Sequence, residues 1–329
     1  MARQVQVTGK FGWASLFLAL SPLVSWAEEP TPRSLLNGCA PEKKGPKTLL
    51  TWSECKTDAK KDTEEKGTEK GNDQEEKKNG TSDEPEKEDR IVTDRPDVTE
   101  SSATVGRGRI QVEMGYTYTS DKEGNVHLRG HSFPEVLLRV GAFADWCELR
   151  LGWNYGVERL NEDGLQTRFS GSDDLYVGVK LALVEQKECL PEVALVLQAT
   201  LPTGAEAFSA NRILPGFNLL YGWDITDFLS CSGSTSLNAA RDGLSHSYTE
   251  LLQAFTVGYS LSDRLGAYTE WFALIPHGHL DPATATQQYF NGGFTFLVNN
   301  DVQLDVRAGV GLNRAADDFF LGSGLAFRF

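Results

Sequence analysis

Beyond its first thirty residues the chain has no uninterrupted apolar run as long as the ~20 residues a membrane-spanning helix requires. Lysine is nearly absent after position 90, where only Lys122, Lys180 and Lys187 occur. The chain also lacks an excess of positive charge. Its 32 Lys and Arg stand against 46 Asp and Glu, giving a formal net charge of -14. A polyanion would be repelled, so no nucleic-acid partner is expected. Histidine is scarce, at 5 residues. His277-Gly278-His279 has no third histidine or assigned carboxylate beside it, and neither a metal nor a cofactor is expected.

The opening stretch "MARQVQVTGKFGWASLFLALSPLVSWAEEP" carries Arg3 and Lys10, an apolar run from Phe11 to Val24, and then Ser25-Trp26-Ala27. That order reads as a secretory signal over 1-27, cut after Ala27. An N-terminal anchor fits less well, because the run is short and Pro22 interrupts it. "LNGC" at 36-39 superficially resembles a lipoprotein cleavage site, but the charged "EEPTPRS" separates it from the apolar run. Residues 28-90 read as a charged, largely disordered tail expected in the periplasm. From Glu42 to Asp89 there are too few apolar groups to offset the entropy of ordering the backbone. Cys39 and Cys55 bracket its one apolar stretch and could close a small loop.

From Ile91 onward the composition changes to aromatics, glycine and β-branched residues in alternating segments. In "WCELRLGWNYGVE" one face carries Cys147, Leu149, Leu151, Trp153, Tyr155 and Val157, and the other Glu148, Arg150, Gly152, Asn154, Gly156 and Glu158. "DLYVGVKLAL" and "DVQLDVRAGVGLN" divide in the same way, whereas "ELLQAFTVGYS" puts Gln253 among the apolar set. About twelve such segments occur, each near the ~10 residues that a tilted strand needs to cross a bilayer. The expected fold is therefore all-β: a transmembrane antiparallel β-barrel of about 12 strands over 91-329, with a disordered N-terminal tail.

The connections alternate between tight ones, such as "GAFAD", "WDITD", "SLSDR" and "VNND", and longer polar ones. The long set includes "SDKEGNVHLRG", "ERLNEDGLQTRFSGS", "PTGAEAFSANR", "NAARDGLSHS" and "PHGHLDPATA". Short periplasmic turns and long extracellular loops fit a barrel in the bacterial outer membrane, with its lipid as partner. Trp146, Tyr155, Tyr221, Trp223, Tyr259 and Trp271 are expected near the segment ends as interfacial girdles. Phe329 closes an alternating strand on its outward face. It is expected to serve as a signal read by the barrel-assembly machinery.

The stretch Thr93-Asp94-Arg95-Pro96-Asp97, followed by Thr99-Glu100-Ser101 and a Q-x-E-x-G-Y strand, resembles the family of outer-membrane transporters named for the MetA pathway of phenol degradation. The resemblance spans roughly 91-329 and excludes the charged tail. It implies a secreted barrel that passes small, hydrophobic or aromatic molecules. Val105-Gly106-Arg107-Gly108 stands where a proline-glycine approach to the first strand is expected.

Alternation assigns Glu113, Glu135, Arg139, Glu148, Arg150, Lys180, Glu270, Asp305, Arg307 and Arg328 to the inward face. Such mixed charges either set a transverse field along a solute path or pair to fill a narrow lumen. The leading expectation is a channel or transporter for an unknown small solute. A structural or adhesive barrel is the alternative, and an embedded lipid hydrolase using Ser245, His246 or Ser247 a distant one. Neighbouring side chains on one extended segment point apart, which is poor geometry for a nucleophile and its base. Cys147, Cys189 and Cys231 are expected at the periplasmic end, with a Cys147-Cys189 bridge one option and no bond for Cys231.

Overall fold

A computed structural model describes residues 89-282 and 284-329. The signal, most of the tail, Cys39 and Cys55 lie outside the described residues. Thirteen strands form one antiparallel sheet: β1 (Ile110–Glu123), β2 (Val126–Gly141), β3 (Cys147–Glu162), β4 (Leu165–Ser172), β5 (Leu175–Val184), β6 (Glu192–Leu201), β7 (Leu214–Asp224), β8 (Leu229–Arg241), β9 (Ser247–Ser260), β10 (Leu265–His277), β11 (Gln287–Asn299), β12 (Val302–Gly311) and β13 (Phe319–Arg328). Each strand pairs with its sequence neighbours, save that β4 and β5 both pair with β3 and not with each other, and β1 pairs with β13 from Gln111↔Arg328 to Ser120↔Phe319. The sheet is thereby closed into a ring, and among these strands only β4 keeps one unpaired edge.

β4 and β5 share one place in the wall. The upper part of β3 pairs with β4 (Glu162↔Leu165 to Tyr155↔Ser172) and its lower part with β5 (Gly152↔Tyr176 to Cys147↔Leu181). Asp173-Asp174 interrupts them, so the barrel has twelve wall positions, the expected number. Asp174 accepts hydrogen bonds from the amides of Gly204 and Ala210, each at 3.0 Å, which ties the 202-213 connection to the interruption.

The period-two faces are found as read. Leu149, Leu151, Trp153 and Tyr155 of β3 are exposed outward, while Glu148 and Arg150 are buried within the lumen. Gln253 does lie on the outward face. Its amide is satisfied there, donating to the Tyr221 hydroxyl at 3.0 Å and accepting from Thr235 at 2.8 Å. A lone amide facing hydrocarbon would cost several kcal/mol. Trp223 and Tyr259 sit near strand ends, whereas Trp271 lies mid-strand, stacked on Phe255 at 6.4 Å.

Two of the long polar connections are not loops. In "SDKEGNVHLRG" β1 continues to Glu123 and β2 begins at Val126, and in "ERLNEDGLQTRFSGS" β3 pairs with β4 out to Glu162↔Leu165. Strands that rise beyond the bilayer are polar on both faces, so alternation disappears although pairing persists. Asp163 and Gly164, both at positive φ (49° and 87°), form the tight turn. Connections 202-213, 242-246, 278-286 and 312-318 lie at one rim of the barrel; at the other rim 185-191 matches 312-318 in length, and the remaining connections have two to five residues. Cys147 is a buried free thiol, so the Cys147-Cys189 bridge is not formed. Cys231 likewise carries no bond.

Candidate functional site

Residues 89-109 belong to no strand. They enter the barrel from the short-turn rim, where the Ile91 amide donates to the Asn300 carbonyl at 2.7 Å in the β11-β12 turn. They return to that rim at Gly108, whose amide donates to the Gly141 carbonyl at 3.0 Å. A side chain at Gly141 would run into the Gly106 carbonyl, so glycine permits this exit. Between these points the segment forms a loop inside the lumen. The Thr93-Asp94-Arg95-Pro96-Asp97 motif, read from sequence as the family's motif at the start of the barrel, lies within that loop.

Asp94 is the centre of the arrangement. Its carboxylate accepts from Arg150 at 2.6 Å and from Lys180 at 2.9 Å, with Arg139 at 3.5 Å. Its backbone amide donates to Glu113 at 3.1 Å, and that of Arg95 does likewise at 3.1 Å. Burial alone would raise the Asp94 carboxyl, but the charges of Arg139, Lys180 and Arg150 outweigh it and hold it well below the ordinary carboxylate range. Arg139 forks onto Glu148 at 2.9 and 3.0 Å, pairs with Glu113 at 3.0 Å, and donates to the carbonyls of Val92 and Ala103. All five of its donors face acceptors, the geometry that a guanidinium suits and an ammonium does not.

Arg95 extends the network across the lumen, reaching Glu135 at 2.9 Å and Asp305 at 3.5 Å. It fits because Gly115 and Gly324 stand beside it, and a Cβ at either would collide with its guanidinium. Arg307 donates to the Pro96 carbonyl at 2.8 Å and to Thr117 at 2.9 Å. On the far wall the Glu270 carboxylate accepts from the amides of Val98 and Thr99 at 2.9 and 2.7 Å. Thr99, Thr256 and Asn291 complete its shell. Burial and the Glu270 charge push the Asp97 carboxyl well above its ordinary value. Glu100 pairs with Arg150 at 3.2 Å, and the Val105 amide donates to Glu148 at 3.0 Å.

All ten inward charges thus meet the loop or its immediate partners, nine of them within the lumen. Glu113, Arg139, Glu148 and Lys180 are each 0% exposed, as side chains filling a lumen are. Arg328 stands apart at the rim, paired with Asp301 at 2.8 Å and with Asp89. Sequence reasoning missed Gln111, Thr256, Asn291 and Gln303 as holders of the loop. Their alternation phase places them on the inward face, but a selection by charge passes over them.

At the long-loop rim the His246 Nδ1 lies 3.0 Å from Asp242, an acidic partner that spacing did not reveal. Its ring meets His279 at 4.8 Å, and the Ser247 hydroxyl accepts instead from Arg212 at 2.7 Å. No group of three or more metal-ligating side chains occurs among the described residues.

A closed twelve-position barrel with alternating lipid-facing and lumen-facing residues is an outer-membrane β-barrel, here with an internal plug. The chain belongs to the family described as "Putative MetA-pathway of phenol degradation", whose model matches residues 93–329. Among solved structures it is similar to an outer membrane channel from Pseudomonas putida F1, with 14% identity over 71% of this chain and 99% of that one, at a TM-score of 0.58. Fainter likenesses are to the translocator domain of the autotransporter NalP from Neisseria meningitidis (12% identity, 67% and 88% coverage, TM-score 0.46) and to the NanC porin (12%, 66% and 98%, 0.42). No curated protein matches the sequence.

Proposed function

We propose that this protein is an outer-membrane channel for small molecules of hydrophobic or aromatic character, held closed by the 89-109 loop. The observation that carries this reading is that the family motif itself sits in the lumen, bound by ion pairs rather than by an apolar core. A permanent filler is most stable when apolar, because burying charges costs several kcal/mol per ion. A charged plug, in contrast, can be released into water with its groups resolvated. Tight turns at the rim where the loop enters support a periplasmic side for the loop and the tail, and the outward Phe329, 70% exposed, supports a role in lipid contact and assembly. Association of the family with phenol degradation, and the aromatic residues in the lumen, support the solute class.

The reading is of a non-enzyme: Ser247 is engaged by Arg212 and not by His246, which leaves that base without a nucleophile. A structural barrel with a fixed filling is the second reading, favoured by the completeness of the Arg139 contacts. Planar bilayers separate the two. Stepwise current from the purified protein supports the channel, and silence under all voltages and pH values supports the filled barrel.

A further inference from the structure

Above the plug the character of the inward face changes. Phe272 and Tyr289 stack at 4.7 Å with 17° between their planes, and Phe320 from a third strand lies 6.1 Å from Tyr289. Together with Ala254 and Ala316 they form a buried cluster, against which Val98 of the plug and Leu252 pack. Glu250 stands on β9 two inward positions above Ala254, with Leu252 between. It is 8% exposed. The Tyr248 hydroxyl approaches its Oε2 at 3.4 Å, while Oε1 has no partner among the described residues. Its cross-strand neighbours are Asn238 and Pro276, neither of them cationic. The cations of the lumen, Arg95, Arg139, Arg150, Lys180 and Arg307, are held lower down by the plug and its wall contacts.

A buried carboxylate with an open acceptor and no counter-charge is costly to keep unless something else supplies the charge. The aromatic cluster two rungs below it is itself only 2-7% exposed and is packed on Val98 of the plug, so it presents a ring face to an apolar body where Val98 gives way. We propose that Glu250 and the Phe272-Tyr289-Phe320 cluster bind small protonated amines that carry an aromatic group, the ammonium at Glu250 and the ring on the cluster. The inference rests on the channel reading for access from the long-loop rim, and it names a solute class within that reading. A carboxylate ligand would meet Glu250 as a like charge. A neutral alcohol would gain the aromatic contact but lose the charge-assisted bond.

The test is calorimetric titration of the full-length barrel in detergent with 2-phenylethylamine, phenylacetate and 2-phenylethanol, three probes of one shape. The amine is expected to bind at least about tenfold more tightly than either of the others. Glu250→Gln should remove that advantage while leaving the alcohol unchanged. Asn238→Lys, which places an ammonium of the protein opposite Glu250, should do the same. Heat-modifiable migration on gels verifies that each variant is folded. Equal affinity for amine and phenylacetate, absence of binding, or an advantage that survives both substitutions overturns the proposal. Conductance of the same samples keeps the two readings apart: a conducting barrel that binds no amine removes the site alone, and a silent barrel that binds it retains the site and removes the channel.

Discussion

Asp94→Asn is the substitution that bears most heavily on the plug. The carboxylate neutralises three cations on the barrel wall, at 2.6 Å from Arg150, 2.9 Å from Lys180 and 3.5 Å from Arg139. The amide keeps the shape and the bond from the Ser101 backbone, at 3.0 Å in the native protein, but not the charge. Arg139 retains Glu113 and Glu148, and Arg150 retains Glu100. Lys180 loses its only carboxylate partner among the described ion pairs and keeps the Ser101 carbonyl at 2.7 Å. Breaking one partner of a buried pair costs about 3-5 kcal/mol. At ~1.4 kcal/mol per tenfold, the ratio of seated to released plug falls by roughly two to four orders of magnitude. Single-channel recording should show this as a large rise in open probability, with heat-modifiable migration confirming an intact barrel. Adding Lys180→Met, which removes the uncompensated ammonium, should recover part of the closed state. An open probability within threefold of the native protein would refute the reasoning.

Seating should also depend on pH through Asp97. Its carboxyl lies above the ordinary 3.8, so the seated loop retains a proton that a released loop gives up, and at pH values above the ordinary carboxylate range, where Asp94 is charged in both states, closure weakens as pH rises through the raised value. Open probability should therefore increase with pH, and Asp97→Asn should flatten the slope; an opposite slope in the native protein rejects the assignment. Deleting residues 42-88 should leave a heat-modifiable, protease-resistant barrel, as their composition cannot support a packed core, and loss of the barrel would give the tail a folding role. Phe329→Ser should cost only ~1-3 kcal/mol by burial reasoning yet reduce insertion in cells while refolding normally in vitro; unimpaired insertion in cells rejects the signal reading.

The barrel was legible because alternation is local: Glu148 and Leu149 reveal opposite faces without knowledge of their partners. Even the awkward Gln253 reads correctly as outward, and its satisfaction by Tyr221 and Thr235 requires only the neighbouring strands. The plug was not legible as a plug. "IVTDRPDVTESSATVGRGR" has no period, and its contacts are remote in sequence, as with Asp94 and Lys180, 86 positions apart. The inward charges were identified individually, but whether they faced water or a second piece of protein depends on that long-range docking. The interruption at Asp173-Asp174 escaped notice for a related reason, since β4 and β5 each read as adequate strand and only the change of partner along β3 shows that they share one place.

The central claim is that the 89-109 loop closes the lumen and leaves it when the channel opens. Thr99 and Thr256 both donate to the same Glu270 oxygen, at 2.8 and 3.1 Å, which brings the loop and the β9 wall together. Thr99→Cys with Thr256→Cys, in a background with the five native cysteines replaced by serine, offers a reversible lock between them. In planar bilayers the oxidised barrel should carry no solute-sized current, and reduction of the bond should restore stepwise openings. Equal current from the oxidised and reduced forms would contradict the account, because the path would then not pass through the space that the loop occupies.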